Sequence, residues 1–298
     1  MKIYIENKIN NINRLKVENQ FLNFLNECNI NNVPKVITTN KKHNWLLISW
    51  IDGEKIKKIN HSLCSQLLDF LVNLQTYRNY ESAINLPIAS DAFFTMTNCL
   101  LSVNKRLNKL ILKNQKICNF NKNLSLDLTS FLKQNINNLS SLINSIKESN
   151  VDKDYVLPLK DRIISQSDVG FHNIICKKNK LYFIDFEYSG WDDPGKLFCD
   201  LLIQPDHYVP LDYIKTLDFF FYKYILEINY NKERLFFMLE LNRIKWSLII
   251  LNPILNIMES PRENLNDLID NKINKSKSYL KDGQNRIDFI KNQILEKY

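Results

Sequence analysis

The segment ISQSDVGFHNIICKKNKLYFIDFE, from Ile164 to Glu187, sets Asp168, Asn173 and Asp185 around two short apolar runs, NIIC and LYFI, that flank the turn KKNK. Such runs predict an antiparallel hairpin, whose second strand ends beside the start of the first. Asp185 is therefore expected near Asn173, with Asp168 on the loop leading in. Three oxygen-bearing side chains at one end of a hairpin form a donor set that hard Mg²⁺ prefers, its shell completed by water and phosphate. Taken singly, each of the three reads as a turn or capping residue. Taken together, with YFID closing an apolar strand in a carboxylate, they read as a site.

The elements that must position this set follow from periodicity. KIYIE reads as a strand, and INRLKVENQFLNFLNEC carries Leu15, Leu22 and Leu25, with Val17, Phe21 and Phe24 beside them, at helical spacing. VPKVITT and NWLLISWI read as two further strands, and Asp52 to Glu54 (DGE) as a turn. Beyond that point, HSLCSQLLDFLVNLQTY, FFTMTNCLLSVNKRLNKLIL, LDLTSFLKQNINNLSSLINSI, LDYIKTLDFFFYKYILEI and KERLFFMLELNRIKWSLIIL all carry helical apolar stripes. The expected architecture is a small mixed β lobe followed by a large helical lobe carrying one hairpin.

Composition narrows the function classes. A chain of 298 residues with 45% hydrophobic and 24% charged content is an ordinary globular protein, long enough for one large domain or two lobes. Six dispersed cysteines with no CxxC pair exclude a zinc module, and the opening MKIYIENKIN holds no apolar signal segment, so a reducing cytoplasm is expected. The longest late apolar run, SLIILNPILNIM, is interrupted by Asn and Pro and is too short to span a bilayer, which excludes a membrane partner. The net charge of +8 is spread over short runs such as Lys55 to Lys58 and Lys177 to Lys180, a solvated surface with some attraction for anionic ligands. No base-reading helix, zinc finger or aromatic RNA-binding pattern accompanies it, so nucleic acid is not expected as a partner. The abundance of Asn, Lys and Ile points to an AT-rich genome.

SDVGFHN resembles the D-x-x-x-x-N catalytic loop of the aminoglycoside phosphotransferase and choline kinase superfamily, which shares the protein-kinase fold. IDFEYSGWDDPGKLFCDL is similar to its metal-binding segment, LLISWIDGE to the hinge, VENQFLNFL to the first-lobe helix and RIKWSLIIL to a late helix. A closer likeness is to the bacterial members found in surface-polysaccharide loci. The resemblance implies an α+β, two-lobed kinase-like fold: a small, shortened β-rich lobe at 1–52 and a helical lobe at 53–298. It implies ATP and Mg²⁺ as cofactors and a small-molecule hydroxyl, on a sugar or amino alcohol, as acceptor.

Residue by residue, Asp168 would orient the acceptor hydroxyl or take its proton, and Asn173 and Asp185 would hold Mg²⁺. Glu18 would pair with a strand lysine, which is Lys2, with Lys8 as the alternative. Ser49, Trp50 and Ile51 would offer backbone groups to adenine. Glu187 is a metal carboxylate or a salt-bridge partner. Asp200 would hydrogen-bond the catalytic-loop backbone, while Trp191, Asp192 and Asp193 read as packing and turn residues. His172 reads as packing beneath the hairpin or as a phosphate or acceptor contact. Phe93, Phe94, Tyr208 and Trp246 are aromatics of the lobe that builds the acceptor pocket.

Two departures stand out. The five glycines, Gly53, Gly170, Gly190, Gly195 and Gly283, form no phosphate-cradling cluster, and Gln166-Ser167 stands where many relatives have His-Gly or His-Arg. The first departure keeps a second function open, a non-catalytic nucleotide- or ligand-binding pseudokinase. Nothing in the sequence marks an acidic pocket for a polycationic antibiotic.

Overall fold

The computed structural model describes residues 1–4, 13–119, 121–205, 209–213, 230–256 and 265–292. In chain order the elements are β1 (Lys2–Ile3), α1 (Arg14–Glu27), β2 (Val36–Asn40), β3 (Trp45–Ile48), β4 (Glu54–Lys55), α2 (His61–Thr76), α3 (Glu81–Ile84), α4 (Met96–Cys118) and α5 (Lys122–Glu148). They continue as β5 (Ile163–Ser165), β6 (Ile174–Lys177), β7 (Lys180–Phe183), β8 (Gly190–Asp192), α6 (Pro194–Ile203), α7 (Lys232–Ile249), α8 (Asn252–Asn256) and α9 (Leu265–Ile290). Two compact units result, one from Met1–Phe94 and Leu157–Asn229, the other from Thr95–Val156 and Tyr230–Tyr298. The helix expected over LDYIKTLDFFFYKYILEI falls mostly on 214–229, outside the described residues, as do Lys8, His207 and Tyr208.

In the first unit, an antiparallel sheet of order β1-β3-β2 packs against α1. The Asn13 side chain accepts the Lys16 N–H and fixes where α1 begins. Its inward stripe is Leu15, Glu18, Phe21, Leu22 and Leu25, so a carboxylate occupies a core position. A second sheet has the order β4-β6-β7, with the predicted hairpin registered from Ile174 against Phe183 to Lys177 against Lys180. Here the expected DGE turn needs correction. Glu54 opens β4 opposite Cys176, and Gly53 lies so close to β6 that a Cβ would stand 2.8 Å from the Cys176 carbonyl. Pairing with the hairpin, which sequence spacing does not announce, extends the backbone there. A third, two-stranded sheet joins β5 to β8, and α2 packs on β5 and β7, with Phe70 stacked on Phe183 at 3.7 Å.

Gly190 is required by its surroundings. Its φ is +156°, and a Cβ would sit 2.1 Å from the Pro87 carbonyl oxygen, which accepts the Trp191 N–H at 2.8 Å. Gly190→Ala is therefore expected to destabilise the protein by more than about 1 kcal/mol. A lowered urea midpoint would show it, and an unchanged midpoint would refute the strain.

The second unit is helical: α4 packs on α5 and α7, and α9 on α5 and α7. Helix α9 buries Ile269, Ile273, Ser276, Leu280, Gly283, Ile287 and Ile290, a seam alternating four- and three-residue steps. Ser and Gly at two seam positions mute its hydrophobic signal, and the helix was not evident from apolar periodicity. Among the described residues no helix is long and apolar enough to cross a membrane, and no disulfide joins any of the six cysteines.

Candidate active site

The site grows from Glu18. Only 1% exposed, it accepts hydrogen bonds from Lys2 Nζ at 2.6 Å, from the Tyr4 hydroxyl at 2.6 Å and from the Phe186 N–H at 3.3 Å. A buried carboxylate persists when its oxygens are satisfied in this way. Glu18 thus ties α1 to β1 and to the residue after Asp185, and stacking of Phe21 on Phe186 at 5.4 Å fixes the same junction. Burial lowers the Lys2 pKa, but Glu18 and Asp185 outweigh it and hold the ammonium above its ordinary value. Burial, helped by Glu18, also raises Tyr4 well above the phenolic range.

Lys2 reaches further than the expected pair. It also contacts the Asp185 carboxylate and lies 3.4 Å from Glu187 Oε2, while Arg14 Nη1 lies 3.3 Å from Glu187 Oε1. Arg14 also sits over the Tyr188 ring at 5.3 Å. In this structure Glu187 is a salt-bridge partner. Its ligand atom nevertheless falls with those of Glu18 and Asp185 within 4.8 Å of one another, a donor set of hard oxygens that fits Mg²⁺.

Asp168 and Asn173 form the neighbouring half. The Asn173 amide donates to Asp168 Oδ2 at 3.2 Å and to the Asp168 carbonyl at 3.0 Å, and its own carbonyl accepts the Ile184 N–H at 3.0 Å. The hairpin end and the loop therefore meet at Asn173 as the register requires. Asp168 Oδ1 faces His172 Nε2 at 3.3 Å and receives the Gln204 amide at 3.4 Å. Burial pushes the Asp168 carboxyl up, but His172, Asn173 and the Lys196 charge outweigh it and leave it below its ordinary range. His172 is thus a partner of Asp168.

The loop is held from below by residues the sequence did not single out. Buried Gln166 donates to the Ile184 carbonyl at 2.5 Å and so braces the two segments. Ser167, at φ +68°, has every polar group engaged: its N–H with Ser165 Oγ, its hydroxyl with the Ser90 carbonyl, and its oxygens with Lys196 Nζ at 3.2 and 3.4 Å. Lys196 also bridges Asp192 at 3.1 Å and Asp200 at 2.9 Å, all three buried. Asp200 therefore reaches the Ser167–Asp168 loop through this ammonium, which corrects the expected direct bond. The i, i+4 spacing of Asp192, Lys196 and Asp200 is the signal that could have revealed the triad. Asp193 caps α6, and the Trp191 indole donates to the Ala83 carbonyl at 2.9 Å, a capping and a packing residue as expected.

A cavity of about 310 Å³ lies beside this cluster, lined by Lys2, Glu18, Ser49, Trp50, Ile51, Asp185 and the apolar Ile48, Ile175 and Ile184. All the residues assigned to nucleotide binding from the sequence line this one cavity. The Ser49 N–H is taken by the Lys35 carbonyl at 2.8 Å, whereas Trp50 and Ile51 have no amide partner among the described residues. Trp50 is 88% exposed at the rim. Of the aromatics noted in sequence, Phe94 is covered by the Arg162 guanidinium at 3.5 Å, and Trp246 lies on α7 of the second unit.

No protein-family model and no curated protein matches the sequence. Solved structures do match, and they share the kinase-like fold. The choline kinase of Cryptosporidium parvum aligns over 98% of this chain and 82% of its own at 14% identity, TM-score 0.55. Spectinomycin phosphotransferase APH(9)-Ia in its AMP-bound complex aligns over 92% and 83% at 13% identity, TM-score 0.55. The ethanolamine kinase of Plasmodium vivax aligns over 93% and 73% at 18% identity, TM-score 0.53.

Proposed function

We propose that a chain sharing the fold of these aminoglycoside and choline/ethanolamine kinases is itself a phosphotransferase, moving the terminal phosphoryl of ATP onto a hydroxyl of a sugar or amino alcohol. The observation that carries this reading is the Lys2–Glu18–Asp185 cluster at the wall of the hinge-lined cavity, one short loop from Asp168 and Asn173. On this reading the hinge amides of Trp50 and Ile51 bind adenine, the apolar Ile175 and Ile184 enclose it, and Lys2 steadies the phosphates. Asn173 and Asp185 would hold Mg²⁺, which supplies charge neutralisation on the phosphates when bound. Asp168, ionised at neutral pH, aims the acceptor hydroxyl and accepts its proton as the new O–P bond forms and the bond to the leaving ADP oxygen breaks. The lobes at 1–52 and 53–298 belong to the same proposal, as does a cytoplasmic location.

A second reading, nucleotide binding without transfer, draws on the commitment of Asp185 to Lys2. Calorimetric titration with ATP, with and without Mg²⁺, followed by ADP release over a panel of sugars and amino alcohols, separates the two. Wild-type protein is expected to bind ATP in a Mg²⁺-dependent way, and Asp185→Ala to lose that dependence. ATP binding identical in Asp185→Ala and wild type would sink the metal assignment, and binding without ADP release on any acceptor would favour the second reading.

A further inference from the structure

We propose that Arg14 is a phosphate-binding residue: its guanidinium, which rests on Glu187 in this structure, moves onto the β- and γ-phosphate oxygens of a bound nucleoside triphosphate. The inference rests on the nucleotide-site reading above. Arg14 is the first residue of α1, four positions before Glu18 and so one turn away on the same face, and the Asn13 cap fixes that turn. Its charge therefore stands at a set distance from the lysine–glutamate pair.

Three features make it a mobile clamp more than a structural tether. The bond to Glu187 is long, 3.3 Å, where a charge-assisted contact settles at about 2.7–2.9 Å. Its side chain is 25% exposed, and among the described residues Glu187 is its one hydrogen-bonding partner, a single contact for a group with five N–H donors. The opposite Glu187 oxygen is shared with Lys2, so a ligand that reaches Lys2 from the cavity is one carboxylate away from the guanidinium. Glu18, Asp185 and Glu187 bring three negative charges against the two positive charges of Lys2 and Arg14. A triphosphate entering there needs a cation that can turn towards it, and the planar fork of Arg matches phosphate oxygens.

The test is a ligand series of adenosine, AMP, ADP and ATP, titrated into wild type, Arg14→Met and Arg14→Lys at constant Mg²⁺. Arg14→Met is expected to leave adenosine and AMP affinity nearly unchanged and to weaken ATP by about 10- to 100-fold, with Arg14→Lys in between. In EDTA, Glu187→Gln should bind ATP more tightly than wild type, because Arg14 loses its competing carboxylate. A tether gives the opposite pattern, with weaker ATP binding in Glu187→Gln, and that result overturns the proposal. So does an ATP affinity in Arg14→Met equal to wild type, or an equal loss for adenosine and ATP. Should wild type itself bind none of the four, the nucleotide-site reading falls, and this proposal with it.

Discussion

Asp168→Ala is expected to reduce phosphoryl transfer by about 10²- to 10⁴-fold, the usual worth of a positioned acid–base group, while Mg²⁺·ATP binding stays nearly intact. The separation follows from where its partners lie. Asp168 is bonded to Asn173, His172 and Gln204 and is not among the residues lining the cavity beside Lys2 and Glu18. Its side chain is 35% exposed, but its donors Asn173 and Gln204 are buried, so the variant should also lose about 1–3 kcal/mol of stability, and transfer must be compared at a temperature where both proteins are folded. Asp168→Asn tests the chemistry more sharply, since the amide fills the same space and cannot take a proton. Turnover unchanged in either variant, measured as ADP release on an acceptor that wild type uses, would remove Asp168 from the mechanism.

Lys196→Met carries the largest expected cost in stability. Removing one partner from a buried ion network costs about 3–5 kcal/mol, because the remaining charge is left without compensation. Here two carboxylates, Asp192 and Asp200, would lose their shared ammonium, and the Ser167 oxygens would lose their donor. Acidity gives the variant a signature. Burial, above all, pushes the Asp192 carboxyl up to about 6 even with Lys196 beside it. A carboxyl whose folded pKa lies above its unfolded value, about 3.9, binds more protons in the folded state. Its contribution to stability therefore falls as pH rises from about 4 through that folded value. Without the ammonium the carboxyl rises further, so the deficit of Lys196→Met against wild type should be smaller at pH 5 than at pH 8. Urea midpoints at the two pH values measure it, and equal deficits at both would show that the triad is not what holds the loop.

Much of this site was legible because its geometry is set by local rules. A hairpin of matched strand lengths must return Ile184 to Asn173, and the Ile184 N–H on the Asn173 carbonyl is that rule in atoms. Glu18 and Lys2 came instead from the likeness of VENQFLNFL to a first-lobe helix, since apolar spacing alone marks no carboxylate as inward, and the two are bonded at 2.6 Å. What escaped depends on contacts between segments far apart in the chain. The pairing of Glu54 with Cys176 and of Ile163 with Asp192 joins short strands whose partners no local pattern names. Gln166 stood out in sequence only as a departure, and its bracing of the loop shows only in its bond to the Ile184 carbonyl. Lys196 is a charged residue in a helix whose residues are all buried, against the usual preference, and its two carboxylate partners are what permit it.

Ser167 and Asp185 both hold the left-handed backbone, at φ +68° and +66°, a region glycine enters without steric cost. Judged by backbone energy alone, glycine would suit either position better, yet neither side chain can be spared: one hydroxyl is bonded on both sides, and one carboxylate faces Lys2 at the cavity wall. At Ser167 the hydroxyl's bonds to Ser90 and Lys196 offset the backbone cost, so durability itself holds the residue in place. At Asp185 the part-exposed carboxylate offers less in return, and selection for heat tolerance alone would replace it first, opening the cavity wall opposite Lys2.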